Sequence, residues 1–322
     1  MQPNTEIGIT GLNIEVPFLK GLLDKVGITA EFYARHEYKN AAASFLNSAF
    51  TPQYREETER LGQSLYDRIV ADVCADRKLD ENIFRRLVNR APLSADEGLK
   101  EGLIDKTAFK PDLLEKVLDE TKGEMIDVYD YAYSLEESGK KLPTIAFLVV
   151  DGTISGGKSL SNPLQGESIV GSETLIQQLD EIANNKYVKA LLLRINSPGG
   201  SYTASAEIWN ALSRLKEKRK LPIVVSMGDY AASGGYFIAL PGDKILAEAS
   251  TVTGSIGVLG GKMVLAGLWD KLEINWGEVK FGDNAGILSA NHKFSEREKE
   301  VFNRSLDNVC LLYTSDAADE AR

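Results

Sequence analysis

Two glycine-rich turns, each following a run of strand-forming residues, are the first candidates for chemistry. They are Asn196-Ser197-Pro198-Gly199-Gly200 and Ala232-Ser233-Gly234-Gly235. A chain that leaves a strand and enters a helix has unpaired N–H groups at the helix start. Such groups can hold an oxyanion, and glycine lets a substrate backbone come close. A serine beside them, here Ser233, is a candidate nucleophile. Taken alone, glycine pairs after strands are more often simply tight turns. A serine nucleophile also needs a base. The chain has two histidines, His36 and His292. Neither lies in a glycine-rich or strand-end setting, and both read as surface residues. A histidine triad is therefore disfavoured. The other familiar base for serine is a lysine kept neutral by burial. Lysine is abundant here, so spacing alone does not choose one.

The turns need elements to position them. Strand patterns cover Thr144–Ile154, Ala190–Ile195 and Ile223–Met227, with helices expected at Glu173–Asn184 and Ser205–Lys218. A Gly/Ser-rich loop is expected from Ser155 to Ser172. Short buried strands alternating with helices specify an α/β fold. Upstream, Pro17–Val26 has helical apolar spacing. Thr51-Pro52 opens a long charged helix, with threonine as N-cap and proline at the first position. Leu79–Val88 is another helix, and Ser94–Asp105 a short capped one ending at Gly102. Asp112–Ser138 reads as a charged helical connector, and equally as a solvated helical face.

Self-comparison reveals an internal repeat. Pro3–Gly11 aligns with Ala249–Gly257 at an offset of 246 residues, pairing Thr5 with Thr251, Gly8 with Gly254 and Gly11 with Gly257. The same offset pairs LKGLLDK, Leu19–Lys25, with LAGLWDK, Leu265–Lys271. After a two-residue gap, Phe50-Thr51 matches Phe294-Ser295. At this offset Lys39 falls opposite Ala285, so one copy has a lysine where the other has none. If that slot matters, the site combines Lys39 of copy 1 with Ser233 of copy 2. The alternative for Lys39 is an ordinary surface lysine. Copy 1 lacks a front that copy 2 has, and copy 2 lacks a back that copy 1 has. A window truncated at both ends of a longer two-copy chain is therefore expected.

INSPGG, then DYAASGGYFIAL, then TVTGSIGV, in this order and spacing, resembles the signal peptide peptidase SppA family, in its long tandem form. The resemblance runs from Pro3 to about Val309. It implies a ClpP/crotonase-like α/β fold of superhelical ββα repeats, tandem duplicated. It implies residues 1–111 as the back of a first domain, 112–142 as a helical linker, and 143–309 as an incomplete second, catalytic domain. Residues 310–322 depart from the family pattern and are expected to be a non-native tail without a role.

By the same resemblance Ser233 is the nucleophile, Lys39 in EYKNA the general base, and Ser255 in TGSIG a serine that orients the lysine. Gly200 and Gly234 supply the oxyanion-hole N–H groups. The implied activity is a serine endopeptidase that degrades cleaved signal peptides, with no cofactor and no metal. The implied assembly is a homotetramer, attached by an anchor outside this chain to the bacterial inner membrane, with the catalytic part on the periplasmic side. A crotonase-type acyl-CoA enzyme and a catalytically inactive homologue are the alternatives.

Composition narrows the partners. The 322 residues carry 37 Lys and Arg against 47 Asp and Glu, a net charge of −10. With no basic block, nucleic acid is not an expected partner. Cys74 and Cys310 make no disulfide framework. MQPNTEIGIT lacks the basic and apolar regions of a signal peptide. The longest strongly apolar run, Ile145–Val150, is strand-sized and far short of a membrane span.

Overall fold

The computed structural model describes residues 1–128, 130–131, 142–162 and 167–319. These residues fall into two compact units, Met1–Ile14 with Glu59–Lys141, and Glu15–Thr58 with Leu142–Arg322.

The first unit is mainly helical. Val70 and Cys74 lie one turn apart on the helix Pro52–Arg77, and Phe84 and Val88 one turn apart on the helix Glu81–Arg90. This four-residue spacing puts each pair on a single face, and together the four form a buried cluster. Asp80 caps the second helix by accepting from Asn82 and Ile83 N–H. Ser94 and Glu97 form the reciprocal capping box of the helix Ala95–Lys100, in line with the expected short helix there. Of the expected connector, Lys110–Thr121 is helical. Residues 129 and 132–138 of that connector lie outside the described residues.

The second unit holds a parallel sheet, in line with the expected α/β fold. Its strands run in the order Lys244–Leu246, Ile223–Ala232, Val188–Ser197, Thr144–Asp151, each parallel to the next. Alternation assigns one face. Leu191, Leu193 and Ile195 on one strand and Ile223, Val225 and Met227 on its neighbour are buried. They pack with Leu175 and Leu179 of the helix Ser172–Asn184 and with Ile208, Leu212 and Leu215 of the helix Tyr202–Arg219. Val188–Ser197 is longer than expected at both ends, and Ile223–Ala232 at its C-terminal end. The second continues to Ala232 and so delivers Ser233 directly.

Two expectations change. Thr144–Ile154 is not one strand: the chain breaks at Gly152, whose φ of +115° only glycine adopts readily. The segment Ser155–Ser172 is not all loop either. Thr153–Ser155 and Leu160–Asn162 both pair with Glu167–Gly171, and buried Ile154 and Val170 anchor this sheet to the core. Residues 163–166 lie outside the described residues. A further antiparallel pair, Thr29–Ala34 with Leu259–Val264, runs in register over the whole of both strands. The sequence reading assigned neither strand.

The repeat has a structural counterpart. LKGLLDK and LAGLWDK both form short helices, Lys20–Val26 and Ala266–Lys271. Glu6–Ile7 and its aligned residues Val252 and Thr253 are both in strands. The chain end is helical from Glu296 to Asp319, and residues 320–322 lie outside the described residues. Among the described residues no helix is long and apolar enough to cross a membrane.

Candidate active site

Ser233 stands at the junction between the strand Ile223–Ala232 and the short helix Gly234–Phe237. Its φ is +52° and its ψ −120°. A non-glycine residue in this region costs energy and persists only where its surroundings fix it. Here they do: Ser233 N–H donates to Gly254 O at 2.9 Å, and Phe237 N–H donates to Ser233 O at 2.9 Å. The strained turn projects the serine from the sheet's end, as a nucleophile elbow does.

The first glycine turn is built against this one. A Cβ on Gly199, where φ is +99°, would lie 2.7 Å from Gly234 N and 2.8 Å from Ser233 Cβ. No other residue fits there, so the two turns touch through backbone. Ile154 N–H donates to Gly199 O at 2.9 Å and Ser201 N–H to Ile154 O at 2.8 Å. That pairing leaves the intervening Gly200 N–H outside the ladder. Gly234 N–H is at the first helical position, where no intrahelical carbonyl is in reach. Gly234 follows the serine in the chain, and Gly200 follows Gly199, which lies against Ser233.

Lys39 comes from a segment 194 residues away in sequence, and its Nζ lies 3.4 Å from Ser233 Oγ. Nζ also donates to Ser255 O at 2.7 Å and to Ser255 Oγ at 2.8 Å. The Thr29–Ala34 ladder explains the approach. It ends with Ala34 opposite Leu259, and Arg35 N–H then donates to Val258 O at 3.0 Å. The chain leaving one strand therefore passes over the turn that carries Ser255. Burial pushes the Lys39 ammonium below the ordinary lysine pKa, while the Glu57 carboxylate opposes that shift.

The structure thus brings Ser233, Lys39, Ser255, Gly200 and Gly234 into one place. His36 is exposed and contacts Cys310 Sγ at 3.5 Å, and His292 faces Lys280 and Glu278. Ala285, opposite Lys39 in the repeat, is exposed in a turn. Sequence reasoning missed Glu57 and Asn40, joined at 2.7 Å beside the lysine. The one available signal was that Asn40 adjoins Lys39.

The model for Peptidase family S49 matches residues 1–123 and 215–321. The chain belongs to this family. A Clp protease family model matches residues 167–253, the stretch that holds both glycine turns, and the fold is the ClpP/crotonase-like α/β kind. The S49 chain is 29% identical over 333 residues to the chloroplastic serine protease SPPA of Arabidopsis thaliana, covering 98% of this chain and 48% of the relative. It is 31% identical over 274 residues to Protease 4 of Salmonella typhi, covering 81% of this chain and 43% of the relative. The chain therefore spans about half the length of the curated relatives it matches. A solved ClpP1 mutant from Listeria monocytogenes is similar at 21% identity, over 30% of this chain and 46% of that one, with a TM-score of 0.22.

Proposed function

We propose that this S49 chain carries the working site of a serine endopeptidase with a Ser233–Lys39 dyad. The observation that supports it most is the 3.4 Å approach of Lys39 Nζ to Ser233 Oγ. Neutral Lys39 takes the hydroxyl proton as Oγ attacks a peptide carbonyl. The resulting oxyanion accepts from Gly200 and Gly234 N–H, and one such donor is worth about 3–4 kcal/mol. The lysinium then protonates the leaving amine. Water, deprotonated by the same lysine, hydrolyses the acyl-enzyme and restores the serine. A lysine with an ordinary pKa of ~10.4 is almost wholly protonated at neutral pH. The burial of Lys39, which lowers its pKa, is what makes it usable as a base.

The substrates are cleaved signal peptides, met as extended chains. The protein works as a homotetramer at the bacterial inner membrane, with its site on the periplasmic side. These assignments follow the SppA resemblance.

A serine-directed fluorophosphonate probe tests the dyad. Ser233→Ala and Lys39→Ala each abolish labelling, and labelling retained in Lys39→Ala refutes the lysine's role. Coenzyme A retained by the purified protein, without acyl-serine, would favour the acyl-CoA alternative. A folded protein with no labelling at any pH would favour the inactive one.

A further inference from the structure

The two residues that flank Lys39 are both tied to the start of one helix. Tyr38 Oη donates to Glu56 Oε2 at 3.1 Å, and Asn40 Nδ2 donates to Glu57 Oε2 at 2.7 Å. The carboxylates are consecutive residues in the first turns of Pro52–Arg77. That helix start is itself fixed. Thr51 Oγ1 accepts from Tyr54 N–H at 3.2 Å, and the Tyr54 ring packs on Phe50 and Phe18. The tied loop is tight and strained: His36 enters it at φ +69°, and Ala43 N–H donates to Asn40 O at 2.8 Å. Between the two ties, Lys39 points the other way, onto Ser255.

We infer that Glu56 and Glu57 are positioning residues for the lysine base, gripping its loop from both sides so that Nζ is held against Ser233. The inference rests on the Ser–Lys reading proposed above. The two carboxylates are not equivalent. The charged or titratable groups around Lys39 are His36, Glu37 and Tyr38 on its own loop and Glu56 and Glu57 on the helix. The turn on the other side presents the Ser255 hydroxyl and carbonyl. Of these carboxylates, Glu57 acts through space on the lysine and favours its protonated form, against burial. Glu56 acts on Tyr38 instead, whose phenol it pushes up. Glu57 therefore both holds the loop and keeps the base from becoming neutral too early, whereas Glu56 only holds the loop. Glu57 is exposed, so its field on the lysine is screened by salt.

The test combines two pH profiles of the full chain. One is the rate of fluorophosphonate labelling at Ser233. The other is trace acetylation of Lys39 by acetic anhydride, read by peptide mass spectrometry, which needs no enzymatic activity. Glu57→Gln keeps an acceptor for Asn40 but removes the charge. Its lysine profile moves to lower pH, labelling on the acid side rises several-fold, and the wild-type salt dependence disappears. Glu57→Ala shows the same displacement with a lower plateau. Glu56→Ala lowers the plateau without displacing the profile or the melting temperature, and Glu56→Gln, which keeps an acceptor for Tyr38, restores the plateau. A plateau that falls only together with the melting temperature would overturn the role of Glu56. A purely structural role would change the plateau and the melting temperature but leave the profile in place. If Lys39 titrates early in the wild type and Glu57→Gln leaves it there, the inference about Glu57 is overturned and the dyad stands. If Lys39 is acetylated in step with the surface lysines, the dyad reading fails as well.

Discussion

Ser255→Ala separates the parts of the site most sharply. Lys39 Nζ donates to two atoms of Ser255, the carbonyl at 2.7 Å and Oγ at 2.8 Å. The substitution removes only the second. Ser255 has a φ of +51°, and alanine keeps the Cβ that makes this costly, so the strain is the same before and after and cancels. The loss is then one intramolecular hydrogen bond, a net of about 1–1.5 kcal/mol. Since 1.36 kcal/mol is tenfold in rate, the expected result is roughly a five- to tenfold fall in the second-order labelling constant. The lysine remains anchored by the backbone carbonyl, so labelling persists. The assay is the fluorophosphonate reaction followed in gel or by intact mass, beside Ser233→Ala and Lys39→Ala as zeros. Loss as complete as in Lys39→Ala would mean that Ser255 takes part in proton transfer. A change of less than about twofold would mean that its hydroxyl does not orient the lysine. Either result refutes the assigned role.

Other outcomes follow from the same geometry. Because Lys39 must be neutral to act and burial lowers its pKa, labelling rises with pH through that lowered value, and a pH-independent rate would contradict it. The folded chain binds fewer protons than the unfolded one between the lowered and the ordinary lysine pKa, so stability rises with pH through that window. Lys39→Met should therefore raise the melting temperature below the window, with the gain shrinking as pH climbs, while labelling is lost. A Cβ on Gly200, at φ +151°, would fall on the carbonyl of Ile154. Gly200→Ala should thus displace the proposed oxyanion donor, costing about 10²–10³ in rate together with a lower melting temperature. Leu191 is fully buried in the sheet core. Leu191→Ala should cost about 2–5 kcal/mol by denaturant titration, and a loss below about 1 kcal/mol would mean the site collapses without a cavity.

What was legible in the sequence was whatever depends on neighbours in the chain. The threonine cap at Thr51, the capped helix that Ser94 opens and the strand-then-glycine order around Asn196 and Ala232 rest on local chemistry, and the structure contains each of them. The ladder between Thr29–Ala34 and Leu259–Val264 was not legible. TAEFYA and LGGKMV are short and mixed, and the second contains two glycines that weaken any strand signal. Their pairing is decided by contact across more than two hundred residues, which a local pattern does not carry. The Gly/Ser-rich stretch after Ser155 hid its strands for a similar reason, since Ile154 and Val170 are anchored by the core rather than by their neighbours. Lys39 could be singled out only through the repeat and the family resemblance. Glu57 lay unremarked in a helix crowded with charge, because its importance comes from which loop it meets.

The approach of Lys39 to Ser233 is set mainly by backbone. From Thr29 to Ala34 the chain is held by main-chain pairing to Leu259–Val264, and Arg35 N–H extends the pairing to Val258. The turn reached there carries Ser255, and one residue earlier Gly254 O accepts from Ser233 N–H. Ladder, turn and nucleophile are thus linked by successive N–H···O bonds, and a side chain enters only at the last step, from Lys39 to Ser255 and Ser233. Such a path tolerates most changes of side chain along the ladder. It does not tolerate a Cβ on Gly261, which would overlap the carbonyl of Glu31 on the opposite strand. The backbone path brings the lysine slot of the first copy to the serine turn of the second, while Ala285, at the matching position of the second copy, stands exposed in a turn.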